Sequence, residues 1–495
     1  MRMHLQKRRK LKMLFKHSGI YILAKFIPGL MAFAALSLYT HLLTPEEYGL
    51  YTLIFTGSVF LSTVIFNWLP AGTLRYWSNK EYKETEFITT LASSYIKIFV
   101  VLLLVAIAGV VFYWNKEEAI WIVNTFLLLV SLALFVITQN LFSARIEPNN
   151  YAYLTIAYSI CALAFGVVFA LLGYGASGVV TGIAIGTALP TLFLIRKLWI
   201  PLEKKSYNKE LFRKIFNYGL PLAAAALIEE ATKITDRFML AGIQGKSQAG
   251  LYAVGYDLSG SSIIMIMSAL NIAAYPVIIK LLDNDSKEAA MDYFHNYVVL
   301  LLGVSIPAVV GLNLVGPDLV YLLIEQQYQA SVIFLLPWIT TAILLMGLQV
   351  FYFDLAFQLG QKTIASVKIA VVIASINIGL NFWLIPKMGI QGAAIATISA
   401  FAIGTIVSAI YGRKFFSLPF PFKSFVKIIM ATFIMGLCLW WLKDYRGWAW
   451  LVIQLSVGMF SYFVMMMVFN ILDIRSYVMS YIQKLTSRFS ATDQT

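Results

Sequence analysis

Phe87 to Tyr113 reads FITTLASSYIKIFVVLLLVAIAGVVFY, with Lys97 as its one charged side chain. About twenty consecutive apolar residues form a helix long enough to cross a hydrocarbon core of about 30 Å. The run does not alternate apolar with polar residues, which excludes a strand of a membrane β-barrel. Outward from it, equivalent runs fall at 18–41, 48–70, 118–141, 151–172, 177–196, 215–241, 250–278, 293–314, 330–353, 364–384, 390–411, 424–442 and 448–470. Composition agrees: the 495 residues are 60% hydrophobic and 13% charged, where a soluble domain carries roughly a quarter charged. The expectation is an all-α integral membrane protein of about fourteen transmembrane helices.

Lysines and arginines test that topology. The segments joining the runs alternate between basic and nearly charge-free, and about 29 of the 38 Lys and Arg fall on one side. The other side holds Lys116, Lys246, Lys387, Lys443 and Arg446. By the positive-inside rule the basic side, with both termini, is cytoplasmic. The formal net charge of +14 is therefore membrane topology and not a nucleic-acid footprint, which would gather on one face. The basic start, MRMHLQKRRKLKMLFKH, precedes a stretch too long for a cleaved signal and is expected to lead an uncleaved first helix. The segment from Ile474 through Arg488 reads as an interfacial helix.

Two patterns recur across the basic middle loop near 197–214. Pro45-Glu46-Glu47-Tyr48-Gly49-Leu50-Tyr51 is matched by Ser247-Gln248-Ala249-Gly250-Leu251-Tyr252. Gly175-Ala176-Ser177-Gly178-Val179-Val180 is matched by Gly389-Ile390-Gln391-Gly392-Ala393-Ala394. Each pair falls at equivalent helices of two six-helix sets, so two pseudo-symmetric bundles are expected, at 1–205 and 206–415, with an added helix pair and C-terminal segment at 416–495. Such repeats suit alternating access through a cleft between the bundles.

Several chemistries are excluded. Gly173-Tyr174-Gly175-Ala176-Ser177-Gly178 fits G-x-G-x-x-G, but it joins two membrane spans rather than a strand and helix of a βαβ unit. No Walker sequence, Ser-His-Asp spacing or H-E-x-x-H occurs, so neither an enzyme nor a cofactor is expected. Cys161 and Cys438 lie inside apolar runs, and His4, His17, His41 and His295 are scattered, so no metal site is expected.

Ionisable groups inside spans carry the functional signal, since each costs about 2.5–3.5 kcal/mol at a helix centre on insertion scales. The seventh span holds Glu229, Glu230, Lys233, Asp236 and Arg237. At about 100° per residue, all five fall within roughly 120° of the circumference. One reading is a cavity lining, the other an ion-pair ladder that only orients the helix. Lys25 stands alone in the first span and is expected to bind an anion or to pair across helices. Lys97 lies among Ser93, Ser94 and Tyr95, with substrate binding as its functional reading. Glu229, Glu230, Asp236, Asp257 and Asp354 are candidates for proton coupling or pairing. Tyr252 and Tyr256 are candidates for stacking on sugar rings.

With Leu42-Leu43-Thr44-Pro45-Glu46-Glu47-Tyr48-Gly49-Leu50-Tyr51, Pro221, Asp236-Arg237-Phe238-Met239-Leu240, Gly250-Leu251-Tyr252 and the Gly389–Ala394 motif in this order, the sequence resembles the polysaccharide transporter family. These are flippases of lipid-linked oligosaccharides for O-antigen and capsule assembly, in the superfamily of multidrug and toxic-compound extruders and lipid II flippases. The resemblance implies transfer of an undecaprenyl-pyrophosphate-linked repeat unit from the cytoplasmic to the periplasmic leaflet of a bacterial inner membrane. It also implies a polysaccharide polymerase and a chain-length regulator as partners, besides the membrane lipids. A pyrophosphate entering low dielectric calls for cations, and Lys25, Lys233, Arg237 and Lys97 are the expected binders. Two alternatives remain: an ion-coupled multidrug exporter of the same superfamily, and an integral-membrane polymerase or ligase, against which the short outer loops argue.

Overall fold

The computed structural model describes residues 24, 26–77, 82–114, 116–198, 206–284 and 287–475. Lys25 and the segment beyond 475 lie outside them, as do the side chains of Glu229 and Lys233.

The described chain is helical with no strand. In order run α1 (Phe26–Leu42), α2 (Pro45–Phe66), α3 (Trp68–Tyr76), α4 (Glu84–Phe112), α5 (Glu117–Ala144) and α6 (Pro148–Phe169). After a π-helical turn at Ala170–Tyr174 come α7 (Gly175–Leu198), α8 (Lys209–Gln244), α9 (Lys246–Asn284) and α10 (Lys287–Leu323). Next are α11 (Gln326–Leu348), a second π segment at Gln349–Phe353, α12 (Leu355–Leu359), α13 (Thr363–Gly412), α14 (Phe422–Trp440) and α15 (Trp448–Val468).

Among the described residues, eleven helical stretches are long and apolar enough to cross a membrane. Two of them, Pro148–Arg196 and Ile364–Gly412, are each 49 residues long, about 73 Å if straight and so more than two crossings of a 30 Å core. Glycines break both, and each supplies two spans. With the shorter Phe26–Leu42, the described residues hold fourteen spans, as the apolar runs lead one to expect.

The glycine motifs explain how the chain reverses. Gly175 has φ 52° and ψ −139°, and Gly389, its counterpart in the repeat, has φ 56° and ψ −131°. Both are conformations that a Cβ disfavours by about 1–3 kcal/mol. Three residues on, a Cβ at Gly178 would stand 2.9 Å from the Phe169 carbonyl oxygen, and one at Gly392 would stand 2.5 Å from that of Leu384. The G-x-x-G pattern of Gly175–Gly178 and Gly389–Gly392 is thus a helix-reversal device, made twice. Gly389→Ala meets no neighbouring atom, so its effect isolates the backbone term. It is expected to lower the midpoint of unfolding in detergent, whereas Gly379→Ala, inside α13 with open space and ordinary φ, is expected to hold or raise it.

The Thr44-Pro45-Glu46-Glu47 motif starts α2. Thr44 Oγ1 accepts from Glu47 N at 3.3 Å, and Glu47 Oε2 accepts from Thr44 N at 2.9 Å, a reciprocal capping box with Pro45 in the first turn. The repeat then meets itself. A Cβ on Gly49 would lie 1.9 Å from Lys246 O, and one on Gly250 would lie 2.1 Å from Pro45 O. The starts of α2 and α9 therefore touch backbone to backbone through a reciprocal pair, residue against residue at the repeat offset.

By compactness the chain divides into two units, Met1–Val254 with Ala374–Ala393, and Gly255–Ile373 with Ala394–Thr495. In the first, Phe66, Trp68, Phe142, Leu154, Leu194 and Leu211 anchor a core drawn from α2, α3, α5, α6, α7 and α8. In the second, Val315, Met435, Leu439 and Leu451 join α10, α14 and α15. The expected second span, 48–70, is corrected: it ends at Phe66, and α3 is a separate short helix.

Candidate functional site

Asp236 and Arg237 lie in the C-terminal half of α8, a 36-residue helix whose start is capped by Asn208, Oδ1 accepting from Leu211 N at 3.0 Å. Both side chains are buried, at 3% and 6% exposure. A carboxylate so placed requires hydrogen-bond donors, and two neighbouring helices supply them. Tyr252 Oη of α9 donates to Asp236 Oδ2 at 2.8 Å, and Asn381 Nδ2 of α13 donates to Oδ1 at 2.6 Å. Asn381 Nδ2 also donates to Asn377 Oδ1, one turn earlier, at 3.1 Å. Both asparagines are fully buried, and Asn381 Oδ1 has no hydrogen-bond partner among the described atoms. Three helices of the first unit thus converge on one charge.

The other expected residues take several positions. Glu230 is half-buried on α8. Lys97 is exposed on α4, its Nζ 4.4 Å from the centroid of the Tyr207 ring, a cation–π contact on the same unit. In the second unit Asp257 is half-buried on α9. Asp354, at the end of the second π segment, accepts from Ser408 Oγ at 2.7 Å and from Gln349 Nε2 at 3.4 Å. Asp354 is therefore a paired carboxylate that ties α12 to the end of α13. Tyr252 is 1% exposed and its hydroxyl is engaged, so it offers no face to a sugar ring, contrary to the stacking expectation.

Three buried polar groups fall outside the expected set, two because they carry no charge and one because it lies beyond the expected span 293–314. Asn377 and Asn381 are uncharged, yet their i, i+4 spacing inside an apolar span was a visible signal of a polar stripe. The third is Asp318 on α10, 4% exposed. Gln454 Nε2 of α15 donates to Asp318 Oδ2 at 2.9 Å and to the Leu442 carbonyl at 3.0 Å. Tyr462 Oη adds a bond to the Gly303 carbonyl at 2.6 Å. These bonds fasten the final helix pair to α10. Among the described residues no three His, Cys, Asp or Glu side chains gather as metal ligands.

A family profile described as "Polysaccharide biosynthesis protein" matches residues 38–333. A curated relative, the probable low-salt glycan biosynthesis flippase of Haloferax volcanii, is 22% identical over 340 residues, covering 67% of this chain and 70% of its own. Among solved structures, the lipid II flippase MurJ in an inward closed conformation superposes with a TM-score of 0.73 at 17% identity, over 90% of this chain and 98% of that one. An inward-facing multidrug resistance MATE family transporter gives 0.58 at 15%, over 79% and 97%.

Proposed function

The chain belongs to the polysaccharide biosynthesis protein family, and from that premise we propose that it is a flippase of a lipid-linked oligosaccharide, working by alternating access. The observation that carries the proposal is the buried polar set of Asp236, Arg237, Tyr252, Asn377 and Asn381 inside apolar helices. Burial of charge at that cost is retained where it serves transport. The substrate in this reading is undecaprenyl-pyrophosphate carrying an oligosaccharide repeat, destined for surface polysaccharide. Transfer runs from the cytoplasmic to the outer leaflet of the inner membrane, with both termini cytoplasmic.

The roles divide by charge. Lys25, Lys233, Arg237 and Lys97 receive the pyrophosphate during the cycle. Asp236 carries the coupling proton, exchanging it against the hydrogen bonds from Tyr252 and Asn381, with Glu229 and Glu230 of the same helix as further proton carriers, whereas Asp257 and Asp354 take the pairing role. The lobes 1–205 and 206–415 rock, and 416–495 is an appended pair. An apolar cavity of about 410 Å³ in the second unit, walled by α9, α10, α14 and α15 with Pro307, Gly311, Gly458 and Met459 in its lining, has the chemistry for a polyprenyl tail.

Deletion of the gene is expected to remove surface polysaccharide and to leave complete lipid-linked repeat units in the membrane. Extracted lipids analysed by mass spectrometry check this. Normal polymer in the deletion strain, or lipid carriers lacking the sugar repeat, overturns the assignment.

A further inference from the structure

Each of the five cations on the charge-poor side stands over an aromatic ring: Lys116 over Tyr113, Lys246 over Trp121, Lys387 over Trp383, Lys443 over Trp440 and Arg446 over Tyr321, at 3.5 to 5.7 Å from the ring centroids. Aromatic rings paired with cations belong at the level of lipid headgroups. Two of these pairs share a place. Tyr113 and Trp121 both line a groove of about 480 Å³ between α4 and α5 in the first unit. Its walls are Leu102, Ala106, Gly109, Ile122, Phe126 and Leu129, and the acid in its lining is Glu118.

We propose that this groove is a binding site for a zwitterionic phospholipid with a primary ammonium headgroup, seated in the leaflet opposite the basic loops. Three observations converge on that occupant. From Leu102 to Tyr113 the groove follows α4 for about 16 Å at 1.5 Å per residue, close to half of a hydrocarbon core of about 30 Å. That is the depth of one leaflet, which fits an acyl chain. The groove opens to lipid, because none of the most apolar window of α4 is buried. Gly109 gives it width: a Cβ there would stand 3.1 Å from Ile122 Cδ1, so any larger side chain fills the space.

The rim selects the headgroup. The Lys116 and Lys246 ammonium groups, held against Tyr113 and Trp121, present their remaining N–H donors to a phosphate. Glu118 on the groove wall presents acceptors to an ammonium. Glu118 in the lining offsets part of the charge of the two lysines, and Glu117 precedes it at the start of α5, so a singly anionic headgroup gains less here than the cations alone would give. A choline headgroup supplies no N–H to Glu118. An ethanolamine headgroup satisfies both partners.

The test uses the purified full-length chain in detergent, delipidated and incubated with equimolar phosphatidylethanolamine, phosphatidylglycerol and phosphatidylcholine, with retained lipid read by native mass spectrometry. Phosphatidylethanolamine is expected to be enriched about fivefold or more over each competitor. Gly109→Phe is expected to lose that enriched lipid. Glu118→Gln, an exposed substitution with little bearing on folding, is expected to keep a lipid and lose the preference. Equal retention of the three lipids, preference for phosphatidylglycerol, or an unchanged preference in Glu118→Gln overturns the proposal. So does displacement of the bound lipid by lipid-linked oligosaccharide, which would give the groove to the substrate. The proposal rests on the membrane topology and not on the flippase reading, so the polysaccharide phenotype of a deletion strain does not bear on it.

Discussion

Alanine at Gly49 or at Gly250 is expected to reduce polysaccharide export more than tenfold while the protein stays in the membrane at normal level. The added Cβ would lie 1.9 Å from Lys246 O in the first case and 2.1 Å from Pro45 O in the second. Both obstacles are backbone, so no side-chain rotamer relieves them, and the starts of α2 and α9 must separate. Interiors packed to crystal density do not absorb such shifts locally. A transporter that alternates between two packings is especially exposed, because one of the two is removed. Gly242→Ala in α8 is the control, since a Cβ there meets nothing within 4 Å, and it should export normally. Export by both Gly49→Ala and Gly250→Ala at the wild-type level would mean that this contact is not part of the cycle.

Asp236→Asn is expected to abolish export without loss of protein. The substitution keeps the size of the group that meets Tyr252 Oη and Asn381 Nδ2 and removes the charge to which the proposed function assigns the coupling proton. Asp236→Ala goes further. It removes the acceptor of two buried hydrogen bonds, at about 1–3 kcal/mol each, and is expected to lower the amount of folded protein as well. The contrast separates function from folding: export lost in both, abundance lost only in the alanine variant. Full export by Asp236→Asn would remove the coupling role. Lys25→Ala and Arg237→Ala are expected to abolish surface polysaccharide at normal protein level, and full complementation by both would remove the anion role.

Much of the architecture was legible because the membrane writes a coarse code. Apolar runs of a fixed length located fourteen spans, and the Gly175 and Gly389 motifs marked the reversals, because only glycine adopts φ near 55° with ψ near −135° at little cost. Hydropathy was blind where a break lies inside apolar sequence. Asn67-Trp68-Leu69-Pro70 continues the composition of α2, so the turn into α3 had no signature in a sliding window. The site was legible as charge and not as geometry. Asp236 and Arg237 stood out, but the partners of Asp236 come from α9 and α13, more than a hundred residues away in the case of Asn381. Tyr252 looked like a sugar platform because aromatic side chains serve that use as well as packing. Its burial became visible only with the helices in place.

The most direct test places the purified protein in proteoliposomes containing a fluorescent polyprenyl-pyrophosphate oligosaccharide and follows its accessibility to a membrane-impermeant quencher or glycosidase. The account predicts label crossing from one leaflet to the other with wild-type protein and no crossing with Asp236→Asn. Wild-type vesicles that leave the glycolipid in its original leaflet, while moving a cationic drug across the same bilayer, would contradict it.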